Sequence, residues 1–360
     1  MKSSDMPSSA ICDILVVGAG PAGASAAAAA ARPNLQVLMI ERRAVVGLPV
    51  QCAEYIPALL VGELNIGRKY LVQPVRGMKT FLAGREVKET LSPGFIINRE
   101  QFDQTLVQAA CDSGAHLMLN TKAVSQNGDD VIIKPKGRPP LKIKAKIIIG
   151  ADGPLSTVAE WIGAAHHDLI RAIQIRVPLK HRLEFTEVYF SKDFYGGYAW
   201  LFPKGDQANL GLGIKKKGRR PPPLGRLLEY FTSQCSRAGK IVANPSGRIT
   251  GWIPAGPVSK IVHGNVLLAG DAAGHTHPIT GAGIFPAVAA GRMAGTWAAR
   301  AIQEKNLQVL SGYESEYRNL FGDSMQRAVS RRQQMESRWD DLDNILKNCW
   351  VAFKEYYAGT

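Results

Sequence analysis

The chain has 360 residues, 46% of them hydrophobic and 21% charged, which is too long for one ordinary core and fits two joined globular domains. Five scattered cysteines with no Cys-x-x-Cys pair argue against a disulfide framework and against a thiolate metal cluster, and point to a reducing compartment. The formal net charge is +14 and the pI is near 9.6, yet no helix-turn-helix, zinc finger or aromatic RNA-binding motif accompanies the charge, so no nucleic-acid partner is expected.

In chain order, residues 14–31 (ILVVGAGPAGASAAAAAA) come first; they are uncharged and long enough to suggest a membrane span. Gly18, Gly20, Pro21 and Gly23 interrupt that reading, and Asp5 and Asp13 spoil a signal peptide. With no other span in sight, a cytoplasmic protein is expected, touching a membrane only at its surface. Ile14 to Val17 instead suits a buried parallel strand, running into Gly18-Ala-Gly20-Pro21-Ala22-Gly23. An alanine-rich helix to Ala31 follows, Pro33 ends it, and Gln36 to Ile40 forms a second strand closing at Glu41 and Arg42. This is the order of a dinucleotide fold. Gly18 permits the tight turn, Gly20 lets backbone approach a pyrophosphate, and Gly23 lets helix and strand pack closely. The helix N-terminus offers unpaired N–H groups to phosphate, and Glu41 stands where an acid holds an adenosine ribose. The motif alone does not separate NAD from FAD.

Asn98-Arg99 with Phe102, Asp103 and Leu106 has helical spacing, and Arg99 is either a surface arginine or one that reaches cofactor phosphates. The basic run Lys134 to Lys146 reads as solvated hairpin tips or loops, as does a second run, Lys215 to Arg226. The functional alternative for both is attraction to an anionic surface, such as a lipid headgroup layer, a diphosphate or an acidic redox partner. Ile147 to Gly150 is a strand followed by Asp152-Gly153, where Asp152 caps the next helix or meets the cofactor.

Residues 70–95 and 169–254 change character to strand-like runs, read as a mostly antiparallel sheet. At its centre, Tyr198, Trp200 and Phe202 alternate before Pro203 and so share one face. Spacing alone favours a core face; an apolar wall for a long alkyl or prenyl chain is the alternative. Beyond it, Val266 to Leu268 leads to Gly270-Asp271, then to His275, His277, Gly281-Ala282-Gly283-Ile284 and a small-residue helix to about Ala301. Asp271 can accept from sugar hydroxyls, and the Gly281–Ile284 turn can face the pyrimidine edge of a flavin.

The glycine fingerprint, arginine helix, Asp-Gly and Gly-Asp segments, in this order, resemble the p-hydroxybenzoate-hydroxylase-fold flavoproteins. The resemblance implies an α/β fold: a Rossmann-like FAD-binding domain with an interleaved antiparallel-sheet substrate domain and C-terminal helices. The boundaries expected are 1–70, 96–165 and 260–305 for the first, 71–95 and 166–259 for the second, and 306–360 for the helices. It places Asp271 on the FAD ribityl chain. Tyr-x-Trp-x-Phe-Pro at Tyr198 to Pro203, with Gly211 or Gly213 beyond, is similar to the signature of the geranylgeranyl reductase family. So are the C-terminal helices from Gly312 and the Cys52-Ala53-Glu54 segment, where the family has Cys-Gly-Glu.

That resemblance implies reduction of prenyl carbon–carbon double bonds from reduced FAD; no second nucleotide-binding domain is evident in the sequence, which leaves NADPH docking transiently, reduced ferredoxin or another flavoprotein as electron donor. The partners implied are a prenyl lipid or prenyl diphosphate and an acidic donor protein. Cys52, Tyr198, Trp200 and His277 are the candidate catalytic residues, and Tyr198, Trp200, Phe202 and Pro203 the substrate wall. Cys52 as a buried thiol and the histidines as turn braces are the plainer readings. Two rival functions are an aromatic hydroxylase of the same fold and a prenyl-binding escort protein that has lost its FAD site. The Tyr-x-Trp-x-Phe-Pro stretch speaks against the first, and retention of Gly18, Gly20, Gly23, Glu41 and Asp271 against the second.

Overall fold

A computed structural model describes residues 9–64, 66–166, 168–216, 223–242 and 244–358. Asp5 and residues 217–222 of the second basic run lie outside the described residues. The chain builds one sheet, leaves it for a second, and returns twice. It begins with β1 (Ser9–Val17), α1 (Pro21–Ala30) and β2 (Val37–Ile40), then crosses to β3 (Tyr55–Pro57), α2 (Ala58–Glu63), β4 (Leu71–Leu82) and β5 (Arg85–Ile97). α3 (Arg99–Asp112), β6 (His116–Met118), β7 (Thr121–Asn127), β8 (Asp130–Pro135), β9 (Leu141–Gly150) and α4 (Thr157–Trp161) return to the first sheet. The second sheet is completed by β10 (Leu169–Pro178), β11 (Phe185–Phe190), β12 (Tyr198–Lys204), β13 (Gln207–Ile214), α5 (Leu224–Arg237) and β14 (Ser246–Pro254). β15 (Val262–His263), β16 (Val266–Leu268) and α6 (Ile284–Glu304) finish the first, and α7 (Ser311–Ser337) and α8 (Leu342–Cys349) close the chain.

The first sheet runs β15-β16-β9-β1-β2-β6, and its five strands from β16 to β6 pair parallel. Ile14, Leu15 and Val16 are wholly buried, as a strand covered on both faces requires. The alanines of α1 let it press against α6: a Cβ on Gly291 or Gly295 would stand 2.2 or 2.1 Å from the carbonyl oxygens of Ala22 and Ala26. Segment 14–31 is therefore strand, turn and interior helix. Among the described residues no helix is long and apolar enough to cross a membrane.

The second sheet runs β14-β10-β13-β12-β11-β4-β5-β3 and is antiparallel except where β11 meets β4. Strand alternation divides its central strands. Ala199, Leu201, Leu210 and Leu212 pack under α5, while Tyr198 and Phe202 pack against the C-terminal helices. Two expectations change. Tyr55–Pro57, placed above with the first region, pairs with β5 in the second sheet. The run Lys134 to Lys146 is mostly regular strand: Lys122 lies directly across from Lys134, and Lys122, Lys134, Lys136, Lys142, Lys144 and Lys146 are all exposed. Lys142 pairs with Asp130 at 2.6 Å and Lys146 with Asp13 at 2.7 Å.

Candidate functional site

The carboxyl ends of β1, β2 and β9 open on a groove of ≈ 480 Å³ lined by Gly18, Gly20, Glu41, Arg42, Arg99, Asp152, Thr157 and Asp271 among others. Ligands of open parallel sheets bind at this edge. Gly18 holds φ +100°, and any Cβ there would stand 2.3 Å from Ala151 O; one on Gly23 would stand 1.8 Å from Gly18 O. Gly20 differs: its Cβ would meet nothing within 4 Å, so backbone faces the groove unscreened. Gly20 is the N-cap of α1 and no side chain caps that N-terminus, which leaves orphan N–H donors beside that opening. Glu41 is held in place because its Oε2 accepts from Ala19 N at 3.0 Å and its Oε1 from Arg43 N at 2.9 Å.

Two expected cofactor residues carry local duties as well. Arg99 forms a bidentate pair with the buried Asp103, at 3.0 and 2.9 Å, on the groove wall. Asp152 Oδ2 accepts from Thr157 N at 2.7 Å and its Oδ1 from Ser156 Oγ at 2.5 Å, so it supports the first turn of α4, whose N-cap is Ser156. Burial pushes its carboxyl above the ordinary range, and these donors oppose the rise.

Asp271 follows β16 and is also pushed up by burial, opposed by Thr276 Oγ1, which donates to its Oδ1 at 2.5 Å. His166 Nε2 lies 2.6 Å from Asp271 O. The turn after it brings Gly281, Ala282 and Gly283 to the start of α6, a 21-residue helix whose N-terminus no side chain caps. A Cβ on Gly283 would stand 3.4 Å from Asp271 Oδ1, so this helix start and Asp271 are neighbours. Unscreened backbone at Gly20, two uncapped helix N-termini, and carboxylates at Glu41 and Asp271 together fit an FAD. The first helix and Glu41 suit its adenosine diphosphate half; Asp271 and Gly281–Ile284 suit its ribityl and ring half.

His277 braces the same turn. Its Nδ1 accepts from Thr280 N at 3.3 Å and its Nε2 faces Tyr356 Oη at 3.4 Å. Burial holds its pKa down to about 4, and that of His275 to about 3, so both are neutral imidazoles.

The aromatic strand reaches this turn through Tyr198, whose hydroxyl donates to Thr280 O. Burial raises its pKa, so it keeps its proton. Its ring lies 5.6 Å from Trp350, 5.9 Å from Phe190 and 6.2 Å from Trp200, centroid to centroid. Phe202 is half-buried on the same face and Pro203 is buried. Trp200 lies over β13, where a Cβ on Gly211 would stand 2.5 Å from its ring; Gly211 rather than Gly213 is the glycine this indole needs. Its Nε1 donates to Gln174 Oε1 at 3.0 Å, and Gln174 Nε2 donates to Cys52 O at 3.1 Å. Cys52 is half-buried, its Sγ accepts from Glu54 N at 3.2 Å, and Arg99 stands beside it. The left-handed residue of this segment is Glu54, with φ +72°, and not the alanine at position 53.

Several contributors carried no sequence signal. Arg332 of α7 is 3% exposed and donates to Pro278 O at 2.6 Å and to Gly196 O, clamping the C-terminal helix to both the turn and the entry of β12. Gln174 is a polar residue in an apolar strand, and its role appears only through cross-strand register. Trp252, 40% exposed, lines the groove from the edge strand β14. Lys204 was visible as the residue after Pro203, but its partner Glu54, at 2.7 Å, was not.

Residues 13–166 match the FAD dependent oxidoreductase family and residues 168–248 the geranylgeranyl reductase catalytic domain. The digeranylgeranylglycerophospholipid reductase of Methanothrix thermoacetophila is 31% identical over 93% of this chain and 90% of its own. That of Methanosarcina acetivorans is 32% identical over 96% of this chain and 86% of its own. A geranylgeranyl bacteriochlorophyll reductase-like structure from Thermoplasma acidophilum superposes with a TM-score of 0.80 at 26% identity, covering 96% of this chain and 92% of that one. PqsL of Pseudomonas aeruginosa, a probable FAD-dependent monooxygenase, has a TM-score of 0.67 at 18% identity over 93% of this chain and 98% of that one, a likeness of fold alone.

Proposed function

The chain belongs to the geranylgeranyl reductase family of FAD-dependent oxidoreductases, and from that premise we propose that it reduces the prenyl double bonds of a geranylgeranylated glycerophospholipid, the substrate class in its relatives' names. One observation carries the reading. Tyr198 of the aromatic strand bonds to the very turn that leads through Gly281–Ile284 to the start of α6, beside Asp271. The strand that would hold an apolar chain is thus tied to the segment that would hold the flavin ring.

When bound, the reduced flavin supplies the hydride equivalent. The chain's own residues do the rest. Tyr198, Trp200 and Phe202 present an apolar wall that orients the alkene and excludes water, which matters because no carbonyl polarises an isolated double bond. The proton for the second carbon comes from Cys52, the half-buried thiol joined to Trp200 through Gln174. Tyr198 commits its own proton to Thr280 O, and His277 has partners at both nitrogens. The exposed lysine face of β7, β8 and β9 meets the anionic headgroup layer in which such a substrate resides. Lys122, Lys134, Lys136 and Lys144 have no ion-pair partner among the described residues, and the like-charge pair Lys122–Lys134 contributes nothing favourable to the fold.

The test is anaerobic. The holoenzyme is fully reduced, freed of excess reductant and mixed with a panel of geranylgeranyl compounds while the oxidised flavin band is followed. Reoxidation by the glycerophospholipid, with a mass gain of hydrogen, is the expected result. Silence toward every prenyl compound, together with hydroxylation of an aromatic substrate in air, overturns it. Reducing the oxidised holoenzyme with NADPH or with reduced ferredoxin, side by side, identifies the donor. Sedimentation with vesicles tests the lysine face: binding to anionic but not zwitterionic lipid is expected, and is lost in Lys134→Glu/Lys144→Glu.

A further inference from the structure

Glu54 is fully buried and carries a side chain in the left-handed region, at φ +72°, where glycine is the ordinary choice. A buried carboxylate is tolerated only when donors surround it. Here they come from three strands of the second sheet and from the start of α3. Arg99 N, at the first residue of α3, donates to Oε1 at 3.0 Å. Lys204 Nζ, at the end of the aromatic strand, lies 2.7 Å from both oxygens. Asn209 Nδ2 on β13 donates to Oε2 at 2.9 Å, and Arg176 Nη2 on β10 stands 3.4 Å away. The strained backbone is thus held by the side chain it carries, and strain of this kind concentrates at functional sites.

The loop that Glu54 anchors is the one bearing Cys52. Glu54 N donates to Cys52 Sγ at 3.2 Å, Gln174 Nε2 to Cys52 O at 3.1 Å, and the Trp200 indole to Gln174 Oε1 at 3.0 Å. β12 is held at its end as well, since Lys204 follows Pro203 directly. Gln174 and Trp200 both stand opposite Gly211, one on each neighbouring strand, and the missing Cβ there opens the space the indole crosses.

We infer that Glu54 is a positioning residue: through the Cys52 loop, and with Gln174 as the link, it fixes where the Cys52 thiol stands relative to the Trp200 wall. The inference rests on the reading that these two residues belong to the reaction site. A cluster that merely held this loop against the second sheet would affect stability and nothing else.

Two variants separate these outcomes, and one readout is independent of prenyl reduction. In Glu54→Gln the shape is kept while the charge that holds Lys204 is lost. In Gln174→Met the link between Cys52 and Trp200 is cut while the charge cluster is untouched. Iodoacetamide labelling of the native holoenzyme, resolved by peptide mass spectrometry, compares Cys52 with Cys111, the other half-buried cysteine. The Cys52:Cys111 rate ratio is expected to rise about threefold or more in both variants as the loop loosens. The saturating rate of anaerobic flavin reoxidation is expected to fall about tenfold, with half-saturation unchanged, because misplacement costs rate more than binding.

A lower melting temperature in Glu54→Gln with wild-type labelling ratio and wild-type rate overturns the inference. If Glu54→Gln fails to fold, an unchanged labelling ratio and rate in Gln174→Met overturn it instead. If no prenyl compound reoxidises the wild-type flavin, the proposed function falls while the labelling ratio still judges Glu54.

Discussion

The groove at the first sheet and the aromatic face of the second are opposite kinds of surface. At the groove, backbone faces the opening: Gly18, Gly20 and two uncapped helix starts present amide groups at fixed places. At the aromatic face, side-chain bulk fills the space: Tyr198, Trp200, Phe190 and Trp350 meet ring to ring, from strands and from the C-terminal segment. A phosphate needs donors at hydrogen-bond distance, which only an approach free of Cβ atoms allows. An alkyl chain needs surface and dryness, which many side-chain arrangements supply. The groove should therefore fail on adding one methyl group, while the aromatic face should lose rate and keep its fold.

The sharpest break of this comparison is Gly23→Ala. Its Cβ would stand 1.8 Å from Gly18 O, so the turn must move. FAD binding is expected to weaken at least about 1,000-fold, or about 4.1 kcal/mol, read as flavin content after gel filtration and by titration with FAD. Full flavin content in this variant would show that the groove tolerates what its geometry forbids.

Next in size is Arg332→Met, which removes the clamp joining α7, the turn at Pro278 and the entry of β12. It leaves two buried carbonyls without their donor and Glu336 with Lys215 as its remaining cation, and should cost about 3 kcal/mol. Thermal melting checks the loss, and flavin content should stay normal if the groove and the aromatic side are as separable as the contrast implies.

The pH dependence of stability tests the turn between the two regions. His275 and His277 have folded pKa values of about 3 and about 4, depressed by burial from an ordinary 6.5. The unfolded chain binds more protons between those limits, so stability is fully present above pH 6.5 and is lost as pH falls. The loss per histidine is about 1.4 kcal/mol per pH unit until each folded pKa is reached. Denaturant titrations at pH 7, 6 and 5 measure the slope, and His277→Gln should remove about half of these two residues' share.

The smallest effect expected is Gly211→Ala. Its Cβ would crowd the Trp200 ring at 2.5 Å and Ile173 O at 2.6 Å. Prenyl-dependent flavin reoxidation should slow about tenfold, equivalent to about 1.4 kcal/mol, while FAD content stays at the wild-type level. Loss of FAD here would show that the two regions are not independent.

Local chemistry determined much of the groove. Gly18, Gly20 and Gly23 are legible in sequence because each answers a constraint within a few residues of itself: a turn, an approach, a helix packed on its strand. Glu41 and the strand from Val37 to Ile40 follow at a distance set by the same unit. The alternation at Tyr198, Trp200 and Phe202 likewise predicts a shared face from the period of a strand. Tertiary structure alone decided what covers that face, because Trp350 and Tyr356 arrive there only through long-range packing of the C-terminal segment. It also decided the bonding of Glu54, whose partners at positions 99, 176, 204 and 209 belong to four different elements. Sequence period and spacing report on neighbours along the chain. A buried charge is satisfied across the chain, by whichever donors neighbouring strands and a helix start bring together.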